Sequence, residues 1–163
     1  MKQIINAYAL QNRDTYRCFG CSPQNPIGLH MTFALDGDVV VSEWEPRPGY
    51  EGYANVLHGG IQATMADEVA SWALYAVAGT CGVTKKLEVE YLRPLHLSLG
   101  KVVLRGRIVG TEGRDVTVEV EIANADGVVC SRANVVYSAF PPQIAAARFN
   151  YPGREAFVGP CDE

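Results

Sequence analysis

Residues 59–78 read GGIQATMADEVASWALYAVA. The stretch holds no proline, and alanine recurs at positions 63, 66, 70, 73, 76 and 78. Ile61, Met65, Val69, Trp72 and Leu74 fill much of the rest, and lysine and arginine are absent. The spacing predicts a helix of about 20 residues, ~30 Å long. Asp67 and Glu68 are its only charges. A helix apolar nearly all round is a buried one. Gly79 stands where a C-terminal cap is expected.

On either side of this helix the period shortens to two. Upstream, Met31, Phe33 and Leu35 alternate with Thr32 and Ala34, Asp36-Gly37 signals a hairpin, and Val39 to Trp44 reads as the returning strand. Downstream, Leu87, Val89 and Tyr91 alternate with Lys86, Glu88 and Glu90. Val102, Leu104 and Ile108 share one face of the next run. Val116, Val118, Val120 and Ile122 then alternate cleanly with Thr117, Glu119 and Glu121, and Asp126-Gly127 turns the chain into Val128 to Phe140. Such alternation means sheet with one covered and one wetter face. Pro141-Pro142 ends the last strand. A hairpin, one long helix and three or four long antiparallel strands make an α+β fold, with a sheet wrapped on a single helix. The segments flanking it are a short helix within residues 1–12 and a turn-rich loop from Cys18 to Gly28, giving a leader over 1–28, a main domain over 29–140 and a tail over 141–163 without a strong pattern.

Composition narrows the function. The chain has 163 residues, 48 % of them hydrophobic and 20 % charged, which fits one soluble globular domain rather than disorder. Its 14 basic and 18 acidic residues give a net charge of −4. With no basic run, phosphate-backbone binding is disfavoured. No window reaches the length of an apolar membrane span, and the opening MKQIINAYALQNRD lacks the apolar core of a secretory signal. Five cysteines, an odd number, argue against a disulfide framework. The expectation is a reduced, cytoplasmic protein.

Leu57-His58-Gly59-Gly60-Ile61-Gln62-Ala63-Thr64-Met65-Ala66-Asp67 resembles the signature of hotdog-fold acyl-CoA thioesterases, and within them the phenylacetate-pathway (PaaI-like) branch. In that branch His-Gly-Gly opens the central helix and an acidic residue follows nine positions after the His, as Asp67 does here. Cys18-Phe19-Gly20-Cys21 with Asn25-Pro26-Ile27-Gly28-Leu29 resembles a leader of many such proteins, and Val83-Thr84 with Tyr91-Leu92-Arg93-Pro94 resembles the strand after the helix. The resemblance spans roughly residues 18–140. It implies a hotdog fold of five to six strands around the helix. It also implies thioester hydrolysis without a metal or cofactor, acyl-CoA as substrate, and sites at a homodimer interface, with tetramers common.

The same residues carry a chemistry of their own. The first N–H groups of a helix lack intrahelical partners and sit at the positive end of the dipole. Glycine lets a ligand approach that backbone closely, so Gly59, with Gly60 beside it, suits a thioester carbonyl or oxyanion; the alternative is a purely steric turn. Asp67, midway along an apolar helix, is costly unless paired or functional. It shares a face with Gly60, Ala63, Ala70 and Ser71, whose small side chains leave room for a substrate. Asp67 is read as general base or nucleophile, with Glu68, about 100° round the helix, as a structural group or the backup candidate.

Gly60 and Asp67 stand ~10 Å apart along the axis, too far for one carbonyl to touch both. Two antiparallel copies side by side would complete two composite sites. Thr84 can hold a water or orient a carboxylate. In the resembling proteins a Ser or Thr here assists the water. His58 is read as a structural hydrogen-bonder or a thioester contact, and Asn55 as an amide near the carbonyl. Tyr50, Tyr53 and Trp72 are candidate acyl-pocket residues. Cys18 and Cys21 lack a second CxxC, and Cys81, Cys130 and His30 are not at ligand spacing, so no metal is expected. Two other functions share these residues: a hydratase or dehydratase using His58, and a non-catalytic acyl-CoA sensor.

Overall fold

The central helix α2 runs over Gly59–Ala73 and continues as a π-helical turn over Leu74–Ala78, with Gly79 left-handed at φ 72° as its cap. The computed structural model describes residues 1–159. Ahead of α2 lie β1 (Lys2–Gln3), α1 (Ala7–Gln11), β2 (Ala34–Asp36) and β3 (Val39–Trp44). After it come β4 (Gly82–Tyr91), β5 (Val102–Glu112), β6 (Asp115–Ala123), β7 (Val129–Ala139), α3 (Pro142–Phe149) and α4 (Glu155–Val158). The strands form one antiparallel sheet in the order β1-β2-β3-β5-β6-β7-β4. This is the α+β hotdog architecture, a sheet curled round one helix.

The sheet has seven strands where five to six were expected. The surplus is β1, whose Lys2 and Gln3 pair with Leu35 and Ala34. Two paired residues have no periodicity to read, and the helix expected over 1–12 shrinks to the five residues of α1. The clean alternation of β6 holds: Val116, Val118, Val120 and Ile122 are buried at 4 % exposure or less. They meet Met65, Ala66, Val69, Ala70 and Ala73 of α2 in one core. The unpatterned tail contributes to that core too. Phe157 of α4 is fully buried, its ring 5.5–5.7 Å from those of Tyr8, Trp72, Tyr75 and Tyr151. Residues 160–163 of the tail lie outside the described residues.

Two surfaces stay uncovered. The helix was expected to be buried nearly all round, yet Gly60 is exposed, and Ala63, Thr64 and Asp67 are half-buried. Beside that strip lies β4, paired with β7 on one edge and, among the described residues, with no strand on the other. Leu87 and Tyr91, in register with the inward-facing Val135 and Ser131, remain 36 % and 50 % exposed. A ten-residue strand with an open edge and uncovered apolar side chains is a ready template for pairing. Among the described residues, no helix is long and apolar enough to cross a membrane.

Candidate active site

Asp67 stands on the open strip of α2, facing the cross-strand pair Thr84 and Tyr137. Thr84 Oγ1 donates to Asp67 Oδ1 at 2.8 Å, and Tyr137 Oη donates to the same oxygen at 2.8 Å. Tyr137 also reaches the Asp67 carbonyl at 3.1 Å. Burial, then the Asp67 charge, holds the Tyr137 phenol above its ordinary range, so it stays a donor. Asp67 Oδ2 has no hydrogen-bond partner among the described residues. One oxygen is thus fixed by two hydroxyls while the other is left to face a water or a substrate. The register of β4 against β7 shifts between Thr84 and Lys86. Such a bulge re-aims side chains, and here it lies next to Thr84. Tyr137 was not anticipated. Its inward parity in β7 was readable, but its pairing with Thr84 depends on a register the sequence does not state.

At the helix start, His58 is the N-cap. Its Nδ1 accepts from the Gly60 N–H at 2.9 Å, which assigns the ring proton to Nε2. The Gly60 donor is therefore occupied. The Gly59 N–H has no partner among the described residues and sits half-exposed at the first helical position. Tyr91 Oη donates to the Gly59 carbonyl at 2.6 Å, and a Cβ at Gly59 would lie 3.2 Å from the Tyr91 ring. Glycine at 59 thus leaves room for the ring beside the helix terminus. Gln62, buried behind the turn, donates to the Leu57 carbonyl and accepts from Ser131 Oγ at 2.8 Å. It locks the turn to β7 and was also not anticipated.

Asn55 is drawn away from the helix terminus. It is left-handed at φ 61°, its Nδ2 donates to Ser98 Oγ, and its Oδ1 accepts from the Ser98 N–H. Both ends of its amide clamp the loop before α2 to the Leu97–Leu99 turn. The suggested acyl-pocket aromatics do not converge. Trp72 stacks on Phe33 in the core at 4.6 Å, Tyr50 donates to the Gly28 carbonyl, and Tyr53 is exposed.

Glu68 faces the other way. Trp72 Nε1 donates to its Oε1 at 3.1 Å, and Cys18 Sγ lies 3.4 Å from the same atom. Burial pushes its carboxyl up to about 8. Hydrogen bonding from the Cys21 thiol, then from backbone N–H groups of Cys21 and Gly20, outweighs burial and draws Cys18 down to about 5.

The order of the elements and the His-Gly-Gly turn invite comparison with known proteins. Residues 54–131 match the thioesterase superfamily. An uncharacterized Schizosaccharomyces pombe protein is 31 % identical over 97 residues, 56 % of this chain and 54 % of that protein. The chain thus spans about half the length of that curated relative. Among solved structures, one described as a thioesterase superfamily protein superposes with a TM-score of 0.69 at 25 % identity, covering 85 % of this chain and 67 % of the other. A Streptococcus mutans protein crystallised with acetyl CoA superposes with a TM-score of 0.64 at 18 % identity, covering 79 % and 96 %. At that identity the second likeness concerns the fold alone.

Proposed function

We propose that the protein is an acyl-CoA thioesterase of the PaaI-like branch, working as a homodimer. The observation that carries the reading is the Asp67 carboxylate, one oxygen held by Thr84 and Tyr137 and the other free. Gly59 lies eight residues before it, ~12 Å along the axis, so one thioester cannot meet both on one chain. Pairing two copies through the open edge of β4 brings Asp67 of one copy towards the helix start of the other. There the Gly59 N–H polarises the thioester carbonyl and receives its developing negative charge. Asp67 Oδ2 takes a proton from water as the water oxygen attacks the carbonyl carbon. The C–S bond then breaks, releasing the acid and the CoA thiol. Direct attack by Asp67 Oδ2 fits the same geometry. Direct attack forms an acyl–Asp67 anhydride with loss of the CoA thiolate, and label from water found in the Asp67 carboxyl after a single turnover identifies that route, because it enters only when water opens the anhydride at the Asp67 carbon.

His58 and Asn55 serve as positioning residues in this mechanism, and Gly60 as the cap partner that holds His58 in place. The occupied Nδ1 of His58 favours hydrolysis over a hydratase built on that ring. The acetyl CoA held by the S. mutans protein supports CoA esters as the ligand class. The test is thiol release from short, long and aromatic acyl-CoAs by wild type and Asp67→Ala, with gel filtration of both. Turnover in a dimeric wild type and a loss of ~100-fold or more in the variant is the expected result. Turnover that survives the substitution removes Asp67 from the chemistry. Tight binding of acyl-CoA without turnover would make the protein a sensor.

A further inference from the structure

The Cys18–Cys21 pair takes no part in that mechanism, yet the fold gives it a third companion. We propose that Cys18, Cys21 and Glu68 form a site for a thiophilic divalent cation of the zinc class, which clips the leader turn to the central helix. Cys18 Sγ, Cys21 Sγ and a Glu68 carboxylate oxygen lie within 4.8 Å of one another. The Cys18 sulfur is 3.4 and 3.5 Å from the two Glu68 oxygens. With Zn–S near 2.3 Å and Zn–O near 2.0 Å, a tetrahedral ion needs ligand edges of roughly 3.5–3.8 Å, so these three side chains can close on one ion with little movement.

The surroundings are shaped for this. The Ser22 N–H donates to the Cys18 carbonyl at 3.1 Å and closes the turn. Tyr16 Oη lies 3.0 Å from the Cys21 sulfur and Trp72 Nε1 bonds Glu68 Oε1; such outer partners fix ligand orientation. Gly20 has no side chain where one would collide with Glu68, whose Cγ would lie 2.7 Å from a Cβ. Cys21 is buried and Cys18 half-buried. Three protein ligands leave a fourth position for water. Ligand spacing along the chain could not show the site, because Glu68 is 50 residues beyond Cys18 and on another element.

The full chain, stripped of metal under reducing conditions, is titrated with zinc, and with cobalt(II) as the spectroscopic reporter. One zinc per chain is expected, and a thiolate-to-cobalt charge-transfer band. Cys18→Ser and Cys21→Ser should each weaken zinc ~100-fold or more, and Glu68→Gln ~10-fold. Gly20→Ala should weaken it by displacing Glu68 with every ligand retained, and keeps the test alive if a cysteine variant fails to fold. Cys81→Ser and Cys130→Ser should bind as wild type does. Zinc should also raise the melting temperature of wild type and not that of Cys18→Ser. Zinc well below one per chain, no charge-transfer band, or uptake unchanged in both cysteine variants overturns the proposal. So does a reduced protein that ignores zinc and instead cycles to a Cys18–Cys21 disulfide.

Discussion

Asp67 and Glu68 are neighbours in the chain and opposites in the fold. Asp67 looks out of the open strip of α2 and is held by two hydroxyls from the sheet. Glu68, a turn of about 100° away, is enclosed by an indole and a thiol from the leader, and burial pushes its carboxyl up to about 8. The same functional group is thus open to the outside on one side and closed in on the other. Residue type does not decide which is which. The helical phase does, together with what each neighbouring element brings.

The contrast is broken most strongly at Asp67. Asp67→Asn keeps the shape and both hydroxyl contacts but removes the base, so acyl-CoA hydrolysis should fall ~100-fold or more with melting close to wild type. Normal turnover by Asp67→Asn would end the contrast as a functional one. Next is Glu68→Ala, which leaves the Trp72 indole without its acceptor. Urea denaturation should show a loss of about 1–3 kcal/mol, whereas Glu68→Gln, which keeps an acceptor oxygen, should lose about 1 kcal/mol or less. Equal losses in the two would mean that the acceptor is unimportant. Tyr137→Phe and Thr84→Ala each remove one donor from Asp67 Oδ1. Each should cost about tenfold in kcat, near 1.4 kcal/mol, and the double variant should lose less than the product of the two.

The smallest expected effect is one of pH, in metal-stripped protein. Glu68, ordinarily near 4.5 and raised in the fold to about 8, supports the fold fully below its ordinary value and loses that support as pH climbs through about 8. Cys18, ordinarily near 9.0 and lowered to about 5, supports the fold fully above its ordinary value and loses that support as pH falls through about 5. Between about pH 5 and about pH 8 the folded and unfolded chains therefore hold the same number of protons across this pair. Its net contribution to the wild-type pH slope should be near zero there. Glu68→Gln leaves the Cys18 half alone, so its stability should rise with pH relative to wild type, at most about 1.4 kcal/mol per unit. Parallel pH profiles for the two proteins would refute this.

Much of this was legible in the residues. The helix over 59–78 and the valine alternation of β6 follow from side-chain period, which is local. The His-Gly-Gly turn also reads correctly as a helix start, because capping is local chemistry. What could not be read was pairwise. The meeting of Thr84 and Tyr137 depends on strand register, with a bulge beside it. The occupation of the Gly60 N–H depends on the rotamer of His58. Asn55 looked like a free amide until Ser98, 43 residues on, took both its ends. The uncovered strip beside Asp67 was legible only in part: its small side chains suggested room for a substrate, while the apolar count predicted burial nearly all round. Alanine and glycine look equally apolar whether their face meets a sheet or is left open.

Phe157 has a consequence for the order in which the molecule is finished. Its ring lies fully buried between Tyr8 and the central helix, and the Ile5 N–H donates to its carbonyl at 2.8 Å. During synthesis the chain grows from its amino end, so Tyr8 is made almost 150 residues before the partner that completes its packing. Helix and sheet can assemble around each other while the ribosome is still at work. The aromatic socket stays unfilled until α4 emerges, so a segment translated well before the central helix is among the last to settle.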